Sequence, residues 1–150
     1  MGRHERGGIV KIGLVLGSGG ARGYAHIGVL RAIEKHGLEI AAIAGCSIGG
    51  IIGALHAAGY SSQRIHEMWE GLDPLKLIDR SSMGGLIGGR AVTRHLEQYL
   101  PRNFEDLKIP VAVTSVDVQR GKLVVLRSGD LPCAVRATSA LARLFGAEPH

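Results

Sequence analysis

The pentapeptide Gly45-Cys46-Ser47-Ile48-Gly49 has the form G-x-S-x-G, with an apolar run before it and small and aliphatic residues after it. A serine that acts as a nucleophile must project from a sharp strand-to-helix turn, where its own backbone is strained. The residues two before and two after then pass close to neighbouring chain, and Gly45 and Gly49 meet that need. A helix beginning near Ile48 would point its positive end at the reacting centre, and the Ile48 N–H would help to hold an oxyanion. The competing structural explanation is a serine N-cap on a glycine-rich packed helix.

A second glycine cluster, Gly17-Ser18-Gly19-Gly20-Ala21-Arg22-Gly23, lies upstream, again between an apolar run and a helical pattern. It fails the dinucleotide fingerprint, because the sixth position counted from Gly17 is Arg22. It also lacks the Gly-Lys-Ser/Thr ending of a P-loop. Bare backbone N–H groups at a helix N-terminus stabilise an anion, whether a bound phosphate or a developing oxyanion. A tight turn needing positive φ explains the glycines equally well.

Both clusters must be positioned by the surrounding elements. Short apolar runs at 11–16 and 40–44 read as buried strands. Tyr24–His36 reads as a helix with Arg31, Glu34 and Lys35 on one charged face, ended by Gly37. Ile48–Ala58 reads as a helix polar only at His56, hence buried, and ended by Gly59. A helix over about Ser62–Glu70 starts with a serine cap and turns Ile65, Met68, Trp69 and Leu72 inward. Asp73–Gly89, with two glycine pairs, reads as a mobile loop, and Arg90–Leu100 as a helix stopped by Pro101. Ile109–Asp117 and Lys122–Arg127 read as a hairpin around Gly121, and Asp130–Leu144 as a helix with Pro132 in its first turn. Strand–helix–strand–helix order implies a parallel core with right-handed crossovers, to which the hairpin adds antiparallel strands. That is a three-layer α/β domain with a mainly parallel central sheet.

The composition bounds what such a domain does. The chain of 150 residues is 45% hydrophobic, enough for a core, and only 4% aromatic, so that core is aliphatic. Glycine, at 23 of 150, is about twice its usual share. The net charge of +5 suits anionic partners such as phosphate headgroups or a membrane surface. Nucleic acid is disfavoured, with few aromatics for stacking and no basic run along one helix. Two cysteines, Cys46 and Cys133, make no disulfide framework and fit a reducing, cytoplasmic setting. Met1–Gly8 does not read as a targeting signal. The uncharged stretch Ile40–Gln63 reads as strand, turn and helix rather than a membrane span.

With both motifs in place, the sequence resembles the patatin-like phospholipase family. The resemblance is carried by KIGLVLGSGGARGYAHIGVLRAIEKHG, AGCSIGGIIGAL, TSVDVQRGKLVVLRSGD and AVRATSAL, which together span nearly all of residues 11–141. It implies an α/β/α acyl-ester hydrolase that uses a Ser–Asp dyad, with no metal or cofactor. By position, Ser47 matches the nucleophile. Ser18, Gly19, Gly20, Ala21, Arg22 and Gly23 match the oxyanion loop, with the Gly19 and Gly20 N–H groups as donors beside that of Ile48. Ser18 replaces a glycine common in the family, and Gly17 stands where many members have Asp. The implied partner is a lipid or other acyl-ester substrate, with peripheral contact to an anionic membrane surface; no oligomeric state is assigned.

The resemblance departs from the family at the acid. The family's dyad aspartate sits in a later Asp-Gly-Gly or Asp-Gly-Ala motif, and no Asp-Gly dipeptide occurs in this sequence. The expectation is therefore a basic tail over 1–10 followed by a partial, shortened or frame-shifted domain over 11–150, incomplete at the C-terminus and with little or no turnover. Asp117 matches a family aspartate other than the dyad acid, and Asp130 reads as a helix cap. A Ser47, Asp117, His150 order exists formally, but a terminal histidine frays. His26 and His56, inside helices, read as packed or solvated side chains. The alternatives to the hydrolase are a gene fragment without function and a non-catalytic module for anionic lipid or phosphate. Salt-sensitive liposome binding that survives Ser47→Ala would distinguish the binding module.

Overall fold

The computed structural model describes residues 10–71, 95–117 and 119–139. Four strands form one mixed sheet in the order β1 (Lys11–Leu16), β2 (Glu39–Cys46), β3 (Val111–Asp117), β4 (Lys122–Leu126). The first three are mutually parallel, and β3–β4 is an antiparallel hairpin closed between Asp117 and Lys122. Gly121 in its turn has φ 62, a left-handed conformation that glycine adopts without steric cost. The mainly parallel α/β architecture expected from the element order is thus the one observed.

β2 is longer than its apolar run, extending to Cys46, because Gly45 and Cys46 stay paired with Val113 and Thr114 right up to the turn at Ser47. The β1–β2 register shifts between Ile12 and Gly13, leaving Ala41 as an extra residue. That bulge lets Ile40 and Ile43, an odd number of residues apart, both face the core.

The α-helices bounded within the described residues are α1 (Ala25–Lys35), α2 (Ile48–Ala57), α3 (Ser62–Glu70) and α4 (Leu131–Ser139). A 3₁₀ turn over Gly20–Tyr24 precedes α1, so the second half of the expected glycine loop is itself a helical turn and only Tyr24 of it falls within the expected helix. α1 buries Ile27, Leu30 and Ile33. It ends in a Schellman motif, in which the Gly37 N–H donates to Glu34 O at 3.1 Å and the Leu38 N–H to Ile33 O at 3.2 Å. α2 repeats the device, with Gly59 N–H to His56 O at 2.9 Å and Tyr60 N–H to Leu55 O at 3.2 Å. Every residue of α2 except His56 is buried, as its composition requires.

At the start of α3, Ser61 is the cap and accepts from the Arg64 N–H. Ser62, the first helical residue, is buried and donates both its N–H, at 2.8 Å, and its hydroxyl, at 2.5 Å, to Glu34 of α1. Ile65 and Met68 are buried and Trp69 is half-buried. Asp130 caps α4 by accepting from the Cys133 N–H at 2.7 Å. The expected loop over 73–89, residue 72, residues 90–94 of the helix expected over 90–100, and the ends of the chain lie outside the described residues.

The core is aliphatic, built from Leu16, Ile43, Val111 and Val113 of the sheet and Leu30, Ile52, Leu55, Leu131 and Val135 of the helices. On the other side of the sheet Val15, Val116, Leu123 and Val125 are exposed, Val15 at 80% and Leu123 at 69%. Among the described residues no helix is long and apolar enough to cross a membrane.

Candidate active site

Ser47 occupies the single turn residue between β2 and α2, with φ 53 and ψ −124. Among the described residues it is the one non-glycine with positive φ. Such backbone costs of order 1–3 kcal/mol and persists only where its surroundings over-determine it. The surroundings here are glycine contacts. A Cβ built at Gly45 would lie 2.5 Å from the Gly50 Cα, and one at Gly49 would overlap the Leu16 carbonyl, with its carbon at 2.5 Å. Both neighbours are backbone and cannot swing away, so the elbow closes only with glycine at these two places.

The glycine loop meets the elbow directly. A Cβ at Gly23 would coincide with the Ile48 side chain, whose Cγ1 would be 2.5 Å away. The first residue of α2 therefore seats on the last glycine of the loop, and the sequence-predicted loop and elbow are neighbours in space. Gly20 adopts φ 52, while Gly19 is extended at φ −174. The Gly19 carbonyl accepts from the Arg22 N–H at 3.0 Å, closing the 3₁₀ turn. The Arg22 side chain and Ser18 are exposed.

Two polar contacts around the site carry no sequence signal. His26 Nε2 lies 2.8 Å from the Gly17 carbonyl, so the ring donates its Nε2 proton there and ties α1 to the strand–loop junction. A histidine in a helical pattern gives no hint of this, since the contact depends on the loop folding back. The second contact is between Thr138 of α4 and the Ser47 N–H, at 2.8 Å.

The carboxylates near in sequence are engaged elsewhere. Asp117 accepts from the Gln119 and Arg120 N–H groups, each at 3.1 Å, and pairs with the Arg120 guanidinium at 2.8 Å. These bonds, the guanidinium first, hold its carboxyl below the usual range. It stands three residues beyond Thr114, the register partner of Cys46, which is roughly 10 Å along a strand. Asp130 is committed to its cap. His56 Nδ1 lies 3.2 Å from the Tyr60 carbonyl and 3.8 Å from Glu34, at the far end of α2 from Ser47. His150 lies outside the described residues. Among the described residues no three His, Cys, Asp or Glu side chains cluster as metal ligands would.

Comparison with known proteins gives a consistent family. The family model for patatin-like phospholipase matches residues 14–150. An NTE family protein of Mycobacterium bovis is 37% identical over 144 residues, covering 93% of this chain and 39% of the relative. A lysophospholipase of Cryptococcus neoformans is 37% identical over 146 residues, covering 90% of this chain and 9% of the relative. The chain thus spans well under two thirds of these relatives. Among solved structures, full-length ExoU of Pseudomonas aeruginosa superposes with a TM-score of 0.61 at 18% identity, covering 87% of this chain and 38% of that one. VipD of Legionella pneumophila gives a TM-score of 0.60 at 14% identity, covering 83% and 41%. These structural matches establish a shared fold.

Proposed function

The chain belongs to the patatin-like phospholipase family, and on that premise we propose that Ser47 is the nucleophile of an acyl hydrolase acting on ester bonds of lipids. The observation that carries the reading is the Ser47 backbone, held at φ 53 between Gly45 and Gly49 with the glycine loop seated on Ile48. A lysophospholipase among the relatives supports a lipid ester as the substrate class.

In this reading the Ser47 Oγ attacks the ester carbonyl carbon, and the carbonyl electron pair moves onto oxygen. The N–H groups of Gly19, Gly20 and Ile48 are the donors assigned to that oxyanion. Collapse of the tetrahedral species expels the alcohol as its oxygen takes up a proton. The acyl-serine that remains is released by water. The proton leaving Ser47 goes to a carboxylate, the second member of the dyad. No Asp-Gly motif of the kind that supplies it in the family occurs in these 150 residues, and Asp117 and Asp130 are held by their own turn and cap. Loss of one member of a serine-hydrolase constellation costs on the order of 10⁴ in kcat.

Fluorophosphonate labelling followed by peptide mapping tests the assignment. Slow modification at Ser47, absent in Ser47→Ala, is expected, with little turnover of a short-chain ester by these 150 residues. Modification at another serine would overturn the nucleophile assignment. Rapid Ser47-dependent ester hydrolysis by these 150 residues would overturn the requirement for a dyad aspartate from an Asp-Gly motif.

A further inference from the structure

Thr138 lies 91 residues after Ser47, yet the two meet. The Ser47 N–H donates to Thr138 Oγ1 at 2.8 Å, and the same hydroxyl donates to the Thr114 carbonyl at 2.5 Å. Thr114 pairs with Cys46 at the last position of the β2–β3 ladder. One residue later the chain enters the positive-φ turn, and the Ser47 amide takes its acceptor from α4 instead of β3. Among small side chains only a hydroxyl both accepts and donates in this way. Thr138 is 8% exposed, so water is a poor substitute for either bond, and losing the hydroxyl would orphan two backbone groups.

The side chain is held from its other end as well. A Cβ built at Gly50 would lie 3.3 Å from Thr138 Cγ2, so the methyl packs on the first turn of α2. β-Branching restricts χ1, and this contact selects the rotamer that presents Oγ1 to the elbow. The neighbouring hydroxyls do other work. Ser139 bonds the Val135 carbonyl within its own helix at 2.6 Å, and Ser115 ties β3 to the Ala137 carbonyl at 3.0 Å.

We infer that Thr138 is a positioning residue, whose hydroxyl links the Thr114 carbonyl to the Ser47 amide and holds the strained elbow in the orientation from which the Ser47 Oγ attacks. The inference rests on the reading of Ser47 as nucleophile. It concerns the backbone of that residue and assigns Thr138 no contact with substrate.

Three variants separate the hydroxyl from mere packing. Thr138→Val keeps the shape and removes the hydroxyl. Thr138→Ser keeps the hydroxyl and removes the methyl. Ser115→Ala cuts the neighbouring tie between β3 and α4. The readouts are the rate of fluorophosphonate labelling at Ser47 and the hydrogen-exchange rate of the Ser47 amide by NMR. Thr138→Val is expected to slow labelling by about 10- to 100-fold, the penalty for small misplacement of a reacting group. It should speed Ser47 amide exchange by about 10-fold, the loss of one such hydrogen bond. Thr138→Ser and Ser115→Ala should leave both rates within about 3-fold, because the elbow's hydrogen bonds are kept.

Wild-type rates in Thr138→Val, or equal losses in Thr138→Val and Thr138→Ser, overturn the inference. If Thr138→Val does not fold, Thr138→Ser decides: near-wild-type rates uphold the hydroxyl's role and slow labelling overturns it. A wild-type chain that never labels at Ser47 counts against the nucleophile reading, and the amide-exchange comparison alone then decides whether Thr138 anchors the elbow.

Discussion

At the scale of single residues, the elbow depends on what is absent. Gly49 faces the Leu16 carbonyl so closely that a methyl group has nowhere to go, whereas Gly28, in α1, has nothing within 4 Å of where its Cβ would stand. Gly49→Ala is expected to destabilise by about 3 kcal/mol, the upper end of overpacking costs, since the clashing atoms are backbone. Gly28→Ala should stabilise by about 0.5–1 kcal/mol, because alanine loses less conformational freedom in a helix. Urea unfolding of the two variants checks both signs, and equal effects would remove the steric account of the elbow. Asp117 offers a test of charge. Its carboxyl is held below the usual range first by the Arg120 guanidinium, so Arg120→Ala should move its NMR titration midpoint upward. The sign for stability follows, since a lowered folded-state pKa means the contribution exists above the ordinary Asp range. It is lost as pH falls through the lowered folded value. The pair is exposed, so the effect on stability is small and salt-screened.

At the scale of elements, α1 and α3 are joined by a polar contact between their ends as well as by packing. Glu34, in the last turn of α1, accepts both the N–H and the hydroxyl of Ser62 at the start of α3. A carboxylate at a helix N-terminus is favoured by the helix dipole, and Ser62 is 1% exposed, so no water replaces it. Glu34→Ala should cost about 1–3 kcal/mol through the orphaned donors, and Glu34→Gln less, because its amide oxygen still accepts. Thermal unfolding of the pair measures this; identical losses would mean that the contact works by packing. The same logic explains why α1 and α2 end where they do. Gly37 and Gly59 take left-handed φ values of 63 and 107 and close Schellman motifs. Each is a local event that one glycine after an apolar periodic segment announces.

At the scale of the whole molecule, the sheet is asymmetric. Among the described residues one side carries the helices and the aliphatic core, while Val15, Val116, Leu123 and Val125 stand exposed on the other. β1 and β4 are the outer strands of the described sheet. Exposed apolar sheet surface promotes association between copies. The double variant Leu123→Lys and Val125→Thr is therefore expected to raise the monomeric fraction of the 150-residue chain in size-exclusion chromatography without lowering its melting temperature. An unchanged elution profile would exclude this surface as the cause of association.

Much of this was legible in the order of residues. The strands, the buried α2, the hairpin turn, the helix stops and the G-x-S-x-G turn follow from signals within a few residues of one another, where backbone sterics and hydrophobic period act directly, and the parallel arrangement follows from the order of those elements. The sequence also carried the family resemblance that the comparisons then established. Tertiary structure alone decided the rest. Gly23 meets Ile48, His26 holds the Gly17 carbonyl and Thr138 bridges Ser47 to Thr114. None of these contacts has a local pattern, because each joins segments brought together only when the core closes. A hydroxyl inside a helix looks the same in sequence whether it faces water or, like that of Thr138, supplies the acceptor for the turn amide that follows a strand.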